Sequence, residues 1–447
     1  MTTTGHKPWP KLTSREEFRF ISEQMLKRST GDHTMVTLHD RHSGTTRFAN
    51  SQIVQNVDTR CGSLTVTVTF GQRHGTASTT DFTAGAVQET VTKATEIARL
   101  SPEDPEYLPP VEPQSYLTPP AARVETTLAG PARRLEYTNE AIGQCRMENL
   151  GAAGIVSSSV ATVGVAASTG LFAYEERTDA RFSLTAQAGE ATGWGAAAHR
   201  SIDHLKVQER TLTAIAKAKR GLEVCELPPG RYTVILEPAA VAGLWSSMLW
   251  MLDAKSYEKG TSAFSGKLGR SVVDKRLTLC NLPAHEDLLG VGFTAEGLPT
   301  LASDWITDGV LNQLTYDRFT AKARGIDRIP TLDAPCLAGR GASLPTLQDM
   351  IKHVERAILV TNFWYIRTVN PTDLTLTGMT RDGTFLVENG AIVSAVKNFR
   401  FHESPLRAFN RIEAFTNPAE AITSETGKFL VPAMTLSDFN FSSVTRF

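Results

Sequence analysis

Histidine and glutamate stand side by side at two places in this sequence, which makes them the first residues to test for metal chemistry. A zinc peptidase places two histidines one turn apart on a helix face, with glutamate beside the first as general base. After His285, the positions that a second ligand would need hold Leu289 and Gly290, which offer no metal-binding side chain. After His402, Pro405 would interrupt the helix. Both pairs are therefore predicted to lie in loops or at strand ends.

A second place for chemistry is a loop rich in serine and glycine. It offers the hydroxyls of Ser262 and Ser265, but no histidine lies near them in sequence, and no G-x-S-x-G nucleophile motif occurs. Gly260, Gly266 and Gly269 are spaced too loosely for a phosphate-binding loop, and Walker and dinucleotide-binding motifs are absent. We expect these glycines to let the backbone approach another chain closely.

Two further segments are dense in polar groups. Arg381, Asp382 and Gly383 are predicted to form a turn, and residues 398–403 lie at a predicted strand end. Turn capping and strand-end hydrogen bonding would explain both segments. The alternative is that they form an interface or a peptide-binding rim.

The cysteines indicate reduced thiols rather than a metal or redox motif. Their odd number fits the cytosol, and no C-x-x-C pair occurs. They are expected to act as small buried apolar side chains. The five are Cys61, Cys145, Cys225, Cys280 and Cys336.

Composition narrows the class of protein. The chain has 447 residues, 41% of them hydrophobic and 21% charged, with a formal net charge of −1. A neutral chain without a basic block argues against binding nucleic acid through its phosphates. The first residues lack the apolar core of a signal peptide, and the most apolar predicted helix, 241–252, is shorter than the ~20 residues that span a bilayer. A soluble, cytoplasmic protein is expected.

The N-terminal half predicts long helices and mixed strands. Ser14 and Glu17 form a capping box for a helix that runs to Arg28, and Asp81 is predicted to cap a second helix. Prolines crowd residues 101–131, which indicates a surface excursion. The predicted elements are strands at 35–38 and 63–70, helices at 81–100, 131–150 and 203–220, and a β-meander at 154–187 that turns at 168–170.

The C-terminal half follows a boundary at Pro228, Pro229 and Gly230 and is rich in short strands. The expected fold is α+β, with an N-terminal α/β domain and a β-rich, barrel-like C-terminal domain. The domains are placed at 1–225 and 226–447, with subdomains of about 1–105 and 121–225 and a proline-rich connection at 101–120. The predicted elements are strands at 232–236, 374–378, 384–388 and 392–401, a hairpin turn at Asn389-Gly390, and helices at 241–252 and 344–355.

Four longer segments resemble one known family, the TldD/PmbA (TldE) proteins, whose members form metalloprotease assemblies. The resemblance covers nearly the full length. The segments are RHGTASTTDF (73–82), KGTSAFSGKLG (259–269), LTGMTRDGTFLVENGAIVSAVKNFRFHESP (376–405) and VPAMTLSDFNFSS (431–443).

The family divides into TldD-type and TldE/PmbA-type chains, and the resemblance implies which type this chain is. TldD-type chains carry H-E-x-x-x-H on the helix before the K-G-T-S loop, and a metal-binding cysteine near the C-terminus. Here the motif positions fall on Trp245, Ser246 and Trp250, and Cys336 is the last cysteine. An indole nitrogen only donates, so these residues offer no zinc ligand. The resemblance therefore implies a TldE/PmbA-type chain without its own zinc, and a zinc-bearing TldD-type partner.

The function implied is that of a non-catalytic subunit in a heterodimeric zinc metallopeptidase that cleaves unfolded or modified peptides. The subunit would complete the cavity, stabilise its partner and hold an extended peptide by backbone pairing. Its tryptophan helix would pack as core or shape a tunnel wall. The residues expected to bind substrate or partner are Lys259, Gly260, Thr261, Ser262, Ser265, Gly266, Arg381, Asp382, Asn398, Arg400 and His402.

Two alternatives stay open. One is a free-standing enzyme whose chemistry has moved to the 259–267 loop, to Arg381 and Asp382, or to the 398–403 rim. The other is a homodimeric scaffold without a peptidase role. Neither a nucleic-acid partner nor a membrane is expected.

Overall fold

The structure, a computed structural model, describes residues 11–423 and 427–445. These residues form an α+β fold with three β-sheets, which confirms the predicted fold class. The helices are α1 (Arg15–Arg28), α2 (Ala84–Leu100), α3 (Val124–Thr127), α4 (Pro131–Met147), α5 (Val207–Arg220), α6 (Pro238–Leu249), α7 (Ala254–Glu258), α8 (Arg318–Ala323), α9 (Leu347–Lys352) and α10 (Pro405–Ala408), with 3₁₀ turns at Ile202–Leu205 and Trp250–Leu252.

The first half of the chain contains the longest strands, which form hairpins, and most strands of the second half are shorter. They are β1 (His33–Ala49), β2 (Gln52–Phe70), β3 (Arg73–Thr79), β4 (Gly151–Ala167), β5 (Phe172–Ala188), β6 (Ala191–His199), β7 (Val224–Cys225), β8 (Gly230–Leu236), β9 (Leu277–Asn281), β10 (Ser303–Thr307), β11 (Val310–Leu311), β12 (Pro335–Gly339), β13 (Arg356–Asn370), β14 (Thr375–Glu388), β15 (Ala391–Val396), β16 (Phe399–Glu403), β17 (Ile412–Phe415), β18 (Ala419–Thr423), β19 (Gly427–Val431) and β20 (Met434–Val444).

The first sheet is antiparallel, in the order β3-β2-β1-β4-β5-β6. Burial alternates along most of β5, and on the buried face of the sheet Val156 and Phe182 pack with Ile142 of α4 and Ile215 of α5. The helices therefore cover one face of the sheet, and the opposite face is left for the C-terminal half.

Two glycines of β6 let α5 approach at backbone distance. A Cβ atom at Gly193 would lie 2.1 Å from the carbonyl oxygen of Ala214, and one at Gly195 would lie 2.3 Å from that of Arg210. No side chain fits there, so the G-W-G segment sets the helix–sheet distance.

The C-terminal half contains a small closed barrel. β13, β8, β20, β16 and β14 pair in that order, and β13 also pairs with β14, which closes the ring. Aromatic rings fill its interior: Phe399 and Phe441 stack at 4.6 Å, and Phe363 lies 4.7 Å from Phe401. The remaining sheet has the order β11-β10-β9-β12-β19-β18. The predicted domain bounds of 1–225 and 226–447 stay a prediction.

Several local predictions are confirmed. The capping box of Ser14 and Glu17 begins α1, with the Ser14 N–H donating to Glu17 Oε2 at 2.7 Å. Asn389 and Gly390 form the turn of the β14–β15 hairpin, with φ of 48° and 78°. His285 lies in a loop, and His402 lies near the end of β16.

Other local predictions are wrong at their boundaries. Asp81 does not cap α2. The N-cap residue is Thr83, and Asp81 Oδ1 accepts the Thr83 N–H in the turn before the helix. The predicted strands 374–378 and 384–388 are one strand, β14, so Arg381, Asp382 and Gly383 lie inside a strand rather than in a turn. Residues 392–401 divide into β15 and β16, and the helix predicted at 344–355 is confined to 347–352.

The cysteines have no disulfide among the described residues. Burial raises the pKa of Cys145 and of Cys336 to about 11, as expected of inert buried thiols. Cys61 is exposed on β2, so the prediction of a buried apolar role is wrong for it.

The glycines of β6 give a direct test of the helix–sheet distance. Gly193→Ala should lower the free energy of unfolding by about 1–3 kcal/mol, because the new methyl group overlaps α5 backbone. Gly143→Ala is the matched control: Gly143 lies within α4 with no atom within 4 Å of an added Cβ, so the same change should raise stability by up to about 1 kcal/mol. Urea denaturation measures both. Equal effects of the two variants would contradict the assigned packing.

Candidate functional site

A cleft of about 540 Å³ lies between the first sheet and the C-terminal half. One wall is the face of β4, β5 and β6 that the helices leave uncovered. The other wall is α6 together with β13 and β14, and Ile422 and Thr423 of β18 close one side. The cleft contains Ser246, Arg381 and Asp382, which the sequence singled out.

Charged contacts hold the two walls in place. Lys217 of α5 donates to Glu237 Oε2 at 2.7 Å, and Thr361 donates to Glu237 Oε1 at 3.0 Å. Arg210 donates to Glu420 Oε2 at 2.8 Å. The cleft is therefore preformed by bonds that join both halves of the chain.

The outer edge of β6 is a row of backbone groups inside this cleft. The Ala198 N–H donates to Glu420 Oε1 at 2.9 Å, and the Ala198 carbonyl accepts from Lys428 Nζ. Since backbone groups alternate in direction along an antiparallel strand, those of Trp194 and Ala196 also point away from β5. They form no backbone hydrogen bond with another described residue. This edge is available to a further strand.

Small residues form the face of α6 that lines the cleft. Ala239, Gly243 and Ser246 recur there at helical spacing. The Ser246 hydroxyl donates to the Ala242 carbonyl at 2.8 Å, so it is engaged within the helix. This face leaves space for a ligand and presents no evident nucleophile.

The two tryptophans at the motif positions lie elsewhere, Trp245 in α6 and Trp250 in the 3₁₀ turn that follows it. Trp245 is 1% exposed and stacks on Phe409 with ring centres 5.2 Å apart, in the core of the C-terminal half. Trp250 is 65% exposed and does not line the cleft. The helix is thus core on one side and cleft wall on another, and only Ser246 of the three motif positions reaches the cleft.

Arg381 and Asp382 meet in the cleft on an irregular part of β14. Asp382 has φ +57° and Gly383 has φ +126°, and the pairing with β13 shifts register there. The Arg381 guanidinium lies 4.5 Å from the centre of the Trp364 ring. The Asp382 carboxyl is buried, and its Oδ1 has no hydrogen-bond partner among the described residues. Burial raises its pKa, while the Arg381 charge acts in the opposite direction.

The serine- and glycine-rich loop lies outside this cleft. Gly260, Gly266 and Gly269 have φ between 72° and 74°, with open space at each Cβ position, so turn geometry requires them. Ser262 is buried, and its hydroxyl donates to the Met251 carbonyl at 2.6 Å. The other predicted loop residues, Lys259, Thr261 and Ser265, also lie outside the cleft lining.

In the predicted rim at 398–403, Phe399 and Phe401 are buried in the barrel, and the polar side chains alternate with them along β16. Asn398 Oδ1 accepts from the hydroxyls of Thr380 and Thr384, so it fastens β14 to the following strand. Arg400 is half-buried and His402 exposed on β16, and none of the three lines the cleft. Of the predicted site residues, the structure brings together only Ser246, Arg381 and Asp382.

Several cleft residues were not predicted. Trp194, Arg181, Trp364 and Tyr365 line it. The G-W-G composition of β6 was a usable signal, because tryptophan between two glycines is unusual inside a strand. Arg181, Trp364 and Tyr365 reach the cleft through pairing between strands distant in sequence, for which the sequence has no local signal.

Two family models match the sequence. The PmbA/TldA metallopeptidase central domain matches residues 123–222, and the PmbA/TldA metallopeptidase C-terminal domain matches residues 229–443. Together they cover well over half of the chain. The chain belongs to the TldD/PmbA family. A search of curated proteins finds no match.

Solved structures have the same fold as this TldD/PmbA-family chain. TldE from Thermococcus kodakarensis aligns with a TM-score of 0.84 and 18% identity, over 96% of this chain and 99% of its own. A candidate modulator of a DNA gyrase from Thermotoga maritima aligns with a TM-score of 0.84 and 17% identity, over 95% and 99%. A candidate modulator of DNA gyrase from Bacteroides thetaiotaomicron aligns with a TM-score of 0.81 and 18% identity, over 96% of this chain and 100% of its own. At such identities the likeness concerns the fold.

Metal-binding groups do not converge in this family member. Within residues 11–423 and 427–445, no three histidine, cysteine or acidic side chains lie close enough to share a metal ion. In the same residues, no helix has the length and apolar character that a membrane crossing needs.

The buried carboxyl of Asp382 predicts a pH-dependent stability. A raised pKa in the folded state means that the charged form costs stability, so the cost is absent at low pH and grows as the pH rises above the ordinary aspartate value. Asp382→Asn should therefore raise Tm by a few degrees at pH 8, with the gain shrinking towards pH 4.

Asp349→Asn serves as the control, because the Thr346 hydroxyl lowers the pKa of that carboxyl and the charged form is favoured. That variant should gain nothing at pH 8. Thermal unfolding followed by circular dichroism compares the two. A loss of stability in Asp382→Asn at pH 8 would show that the Asp382 charge is compensated.

Proposed function

We propose that this chain is a non-catalytic, TldE/PmbA-type subunit of a heterodimeric zinc metallopeptidase in the cytoplasm. Its role is to hold an unfolded or modified peptide in extended form and to complete the cavity of a TldD-type partner, which it also stabilises. The observation that carries the proposal is the unpaired edge of β6 inside the cleft, at Trp194 and Ala196.

An extended peptide suits that edge for geometric reasons. Strand addition satisfies main-chain donors and acceptors whatever the side chains are, which fits a site that accepts many sequences. The small face of α6 at Ala239 and Gly243 leaves room for side chains on one side of the added strand. Trp194 and Trp364 offer apolar surface near it.

The absence of reactive groups supports a non-catalytic role. No histidine or cysteine is among the described residues that line the cleft, and Asp382 is the one carboxylate there. The Ser246 hydroxyl, at the position of the family's glutamate, is bonded to Ala242. Peptide hydrolysis would therefore depend on a metal held by the partner chain, as zinc lowers the pKa of its bound water.

Peptide binding at the β6 edge can be measured by fluorescence anisotropy. A fluorescein-labelled, unstructured peptide should bind, and the same peptide with alternate backbone nitrogens methylated should bind at least about tenfold more weakly, since it loses two or more backbone hydrogen bonds. The methylated peptide keeps its side chains, so it controls for composition.

Ala196→Pro tests the same edge from the protein side. It removes an outward N–H, which an edge strand tolerates, and it should reduce binding without loss of the circular dichroism spectrum. Equal binding of both peptides to the unaltered chain would refute strand addition at this edge.

The subunit assignment predicts what the chain does alone and with a partner. Purified alone, it should carry less than stoichiometric zinc by elemental analysis and cleave no unfolded peptide. Mixed with a TldD-type chain that carries H-E-x-x-x-H, it should co-elute as a complex that cleaves peptide and loses activity to a chelator. Chelator-sensitive cleavage by the lone chain would contradict the proposal, and a homodimer that ignores the TldD-type chain would favour the scaffold alternative.

A further inference from the structure

Two neighbouring aromatic side chains lie between two arginines on β13 and β14, beside the cleft. The Arg381 guanidinium lies 4.5 Å from the Trp364 ring centre, the Trp364 and Tyr365 rings are 5.6 Å apart, and the Arg367 guanidinium lies 4.2 Å from the Tyr365 ring centre. We call Arg381, Trp364, Tyr365 and Arg367 the arginine–aromatic row.

The row is exposed although it is built of large aromatic groups. Trp364 is 47% and Tyr365 54% exposed, whereas neighbouring Phe363 is 6% exposed. Free rings of this size at the wall of a cleft are typical of binding surfaces.

A backbone irregularity creates the row. Adjacent residues of a regular strand point to opposite faces, but the pairing of β13 with β14 shifts register between Trp364 and Arg367. Tyr365 adopts φ +56°, a left-handed conformation that is strained for a bulky residue. This strained residue brings two consecutive rings to the same side, where they meet the guanidinium groups. Strain of this kind is concentrated at functional sites.

The charge of the cleft wall is positive. Arg181 is bonded to Asp179 through two nitrogens at 2.9 and 3.2 Å, so its charge is largely matched. Within residues 11–423 and 427–445, the carboxylate paired with Arg381 is Asp382, at 3.7 Å, and that carboxyl is buried while the Arg381 side chain is 47% exposed. A ligand in the cleft therefore meets an exposed guanidinium and no exposed acid among the described lining residues.

We propose that the row selects acidic side chains in the bound peptide, with Arg381 as the group that pairs with the carboxylate. The inference rests on the proposed peptide-binding function and names the class of peptide preferred. A guanidinium stacked on an aromatic ring keeps its N–H groups free at its edge, where they match the two oxygens of a carboxylate. Stacking also holds the arginine in place, so less side-chain entropy is lost on binding.

A peptide fits the surroundings better than a nucleic acid does. Arginine and aromatic groups also bind single-stranded nucleic acids, but that needs a cationic groove that follows many phosphates. The cleft holds about 540 Å³, enough for a few residues, and the chain has a net charge of −1. Its free strand edge at Trp194 and Ala196 matches a peptide backbone.

The test uses three fluorescein-labelled peptides of equal length, in which serine alternates with glutamate, glutamine or lysine. The full chain should bind the glutamate peptide about tenfold more tightly than the glutamine peptide, and the lysine peptide most weakly. Raising the salt concentration should reduce the difference, because Arg381 is exposed.

Substitutions in the row give the matched comparison. Arg381→Gln should abolish the preference for glutamate, so that the glutamate and glutamine peptides bind to this variant equally tightly. Arg381→Lys keeps the charge but loses the planar group, and should retain only part of the preference. Trp364→Leu removes the stacking partner and should have a similar partial effect. Arg400→Gln, on the outside of the barrel, should change nothing.

The outcomes separate this inference from the proposed function. Equal binding of the glutamate and glutamine peptides, with sensitivity to backbone methylation kept, would overturn the acidic preference and leave the strand-addition proposal standing. Binding of none of the peptides would overturn both. Tighter binding of a labelled oligothymidine than of the glutamate peptide would overturn the peptide assignment of the row.

Discussion

Glu237 joins three elements on which the cleft depends. It precedes α6, and its carboxylate accepts from Lys217 of α5 and from Thr361 of β13. Both partners in the ion pair are 13% exposed, so neither charge is well hydrated on its own. Removing one partner of such a pair leaves a poorly compensated charge, which is more damaging than losing a surface salt bridge. The contact therefore fixes the position of the first sheet relative to the helix that faces it.

The first sheet has an uncovered face because its helices lie on one side only. Gly193 and Gly195 bring α5 against β6 so closely that this side is filled by backbone and small side chains. The other face and the outer edge of β6 are left to the C-terminal half, which covers them incompletely. Ala198 is bonded to Glu420 and Lys428, while the outward backbone groups of Trp194 have no backbone partner in the part of the chain that the structure describes. An unpaired edge is a liability in solution, and placing it in a narrow cleft protects it from unwanted pairing.

Family membership and cleft chemistry fit together in a specific way. The chain keeps the fold of a metallopeptidase family, while the helix at the family's motif positions has Trp245 in the core and a bonded serine at Ser246. The cleft offers a backbone edge, small residues and aromatic walls, on which the proposed peptide binding rests. The arginine–aromatic row adds charge without adding a reactive group. These features are the ones on which the proposed non-catalytic role rests.

Local patterns in the sequence determined much of the secondary structure. The capping box at Ser14, the alternation in β2 and the Asn389-Gly390 turn depend on residues within a few positions of each other, and the structure has all three. The family resemblance was also visible in the sequence, because whole segments carried it.

Tertiary structure decided the composition of the site. Arg381, Asp382 and Gly383 have the composition of a turn. They lie in a strand because β14 pairs with the neighbouring strand β13, where Asn362 is opposite Arg381. Trp245 lies in α6 and Trp250 in the 3₁₀ turn that follows, and which of the two met the core depended on the neighbouring elements. The cleft draws on residues 155–197, 239–246, 362–382 and 422–423, which only the packing of distant strands brings together. Spacing along the chain carries no information about such contacts, and so the sequence alone located Ser246, Arg381 and Asp382 but not the edge of β6 that they face.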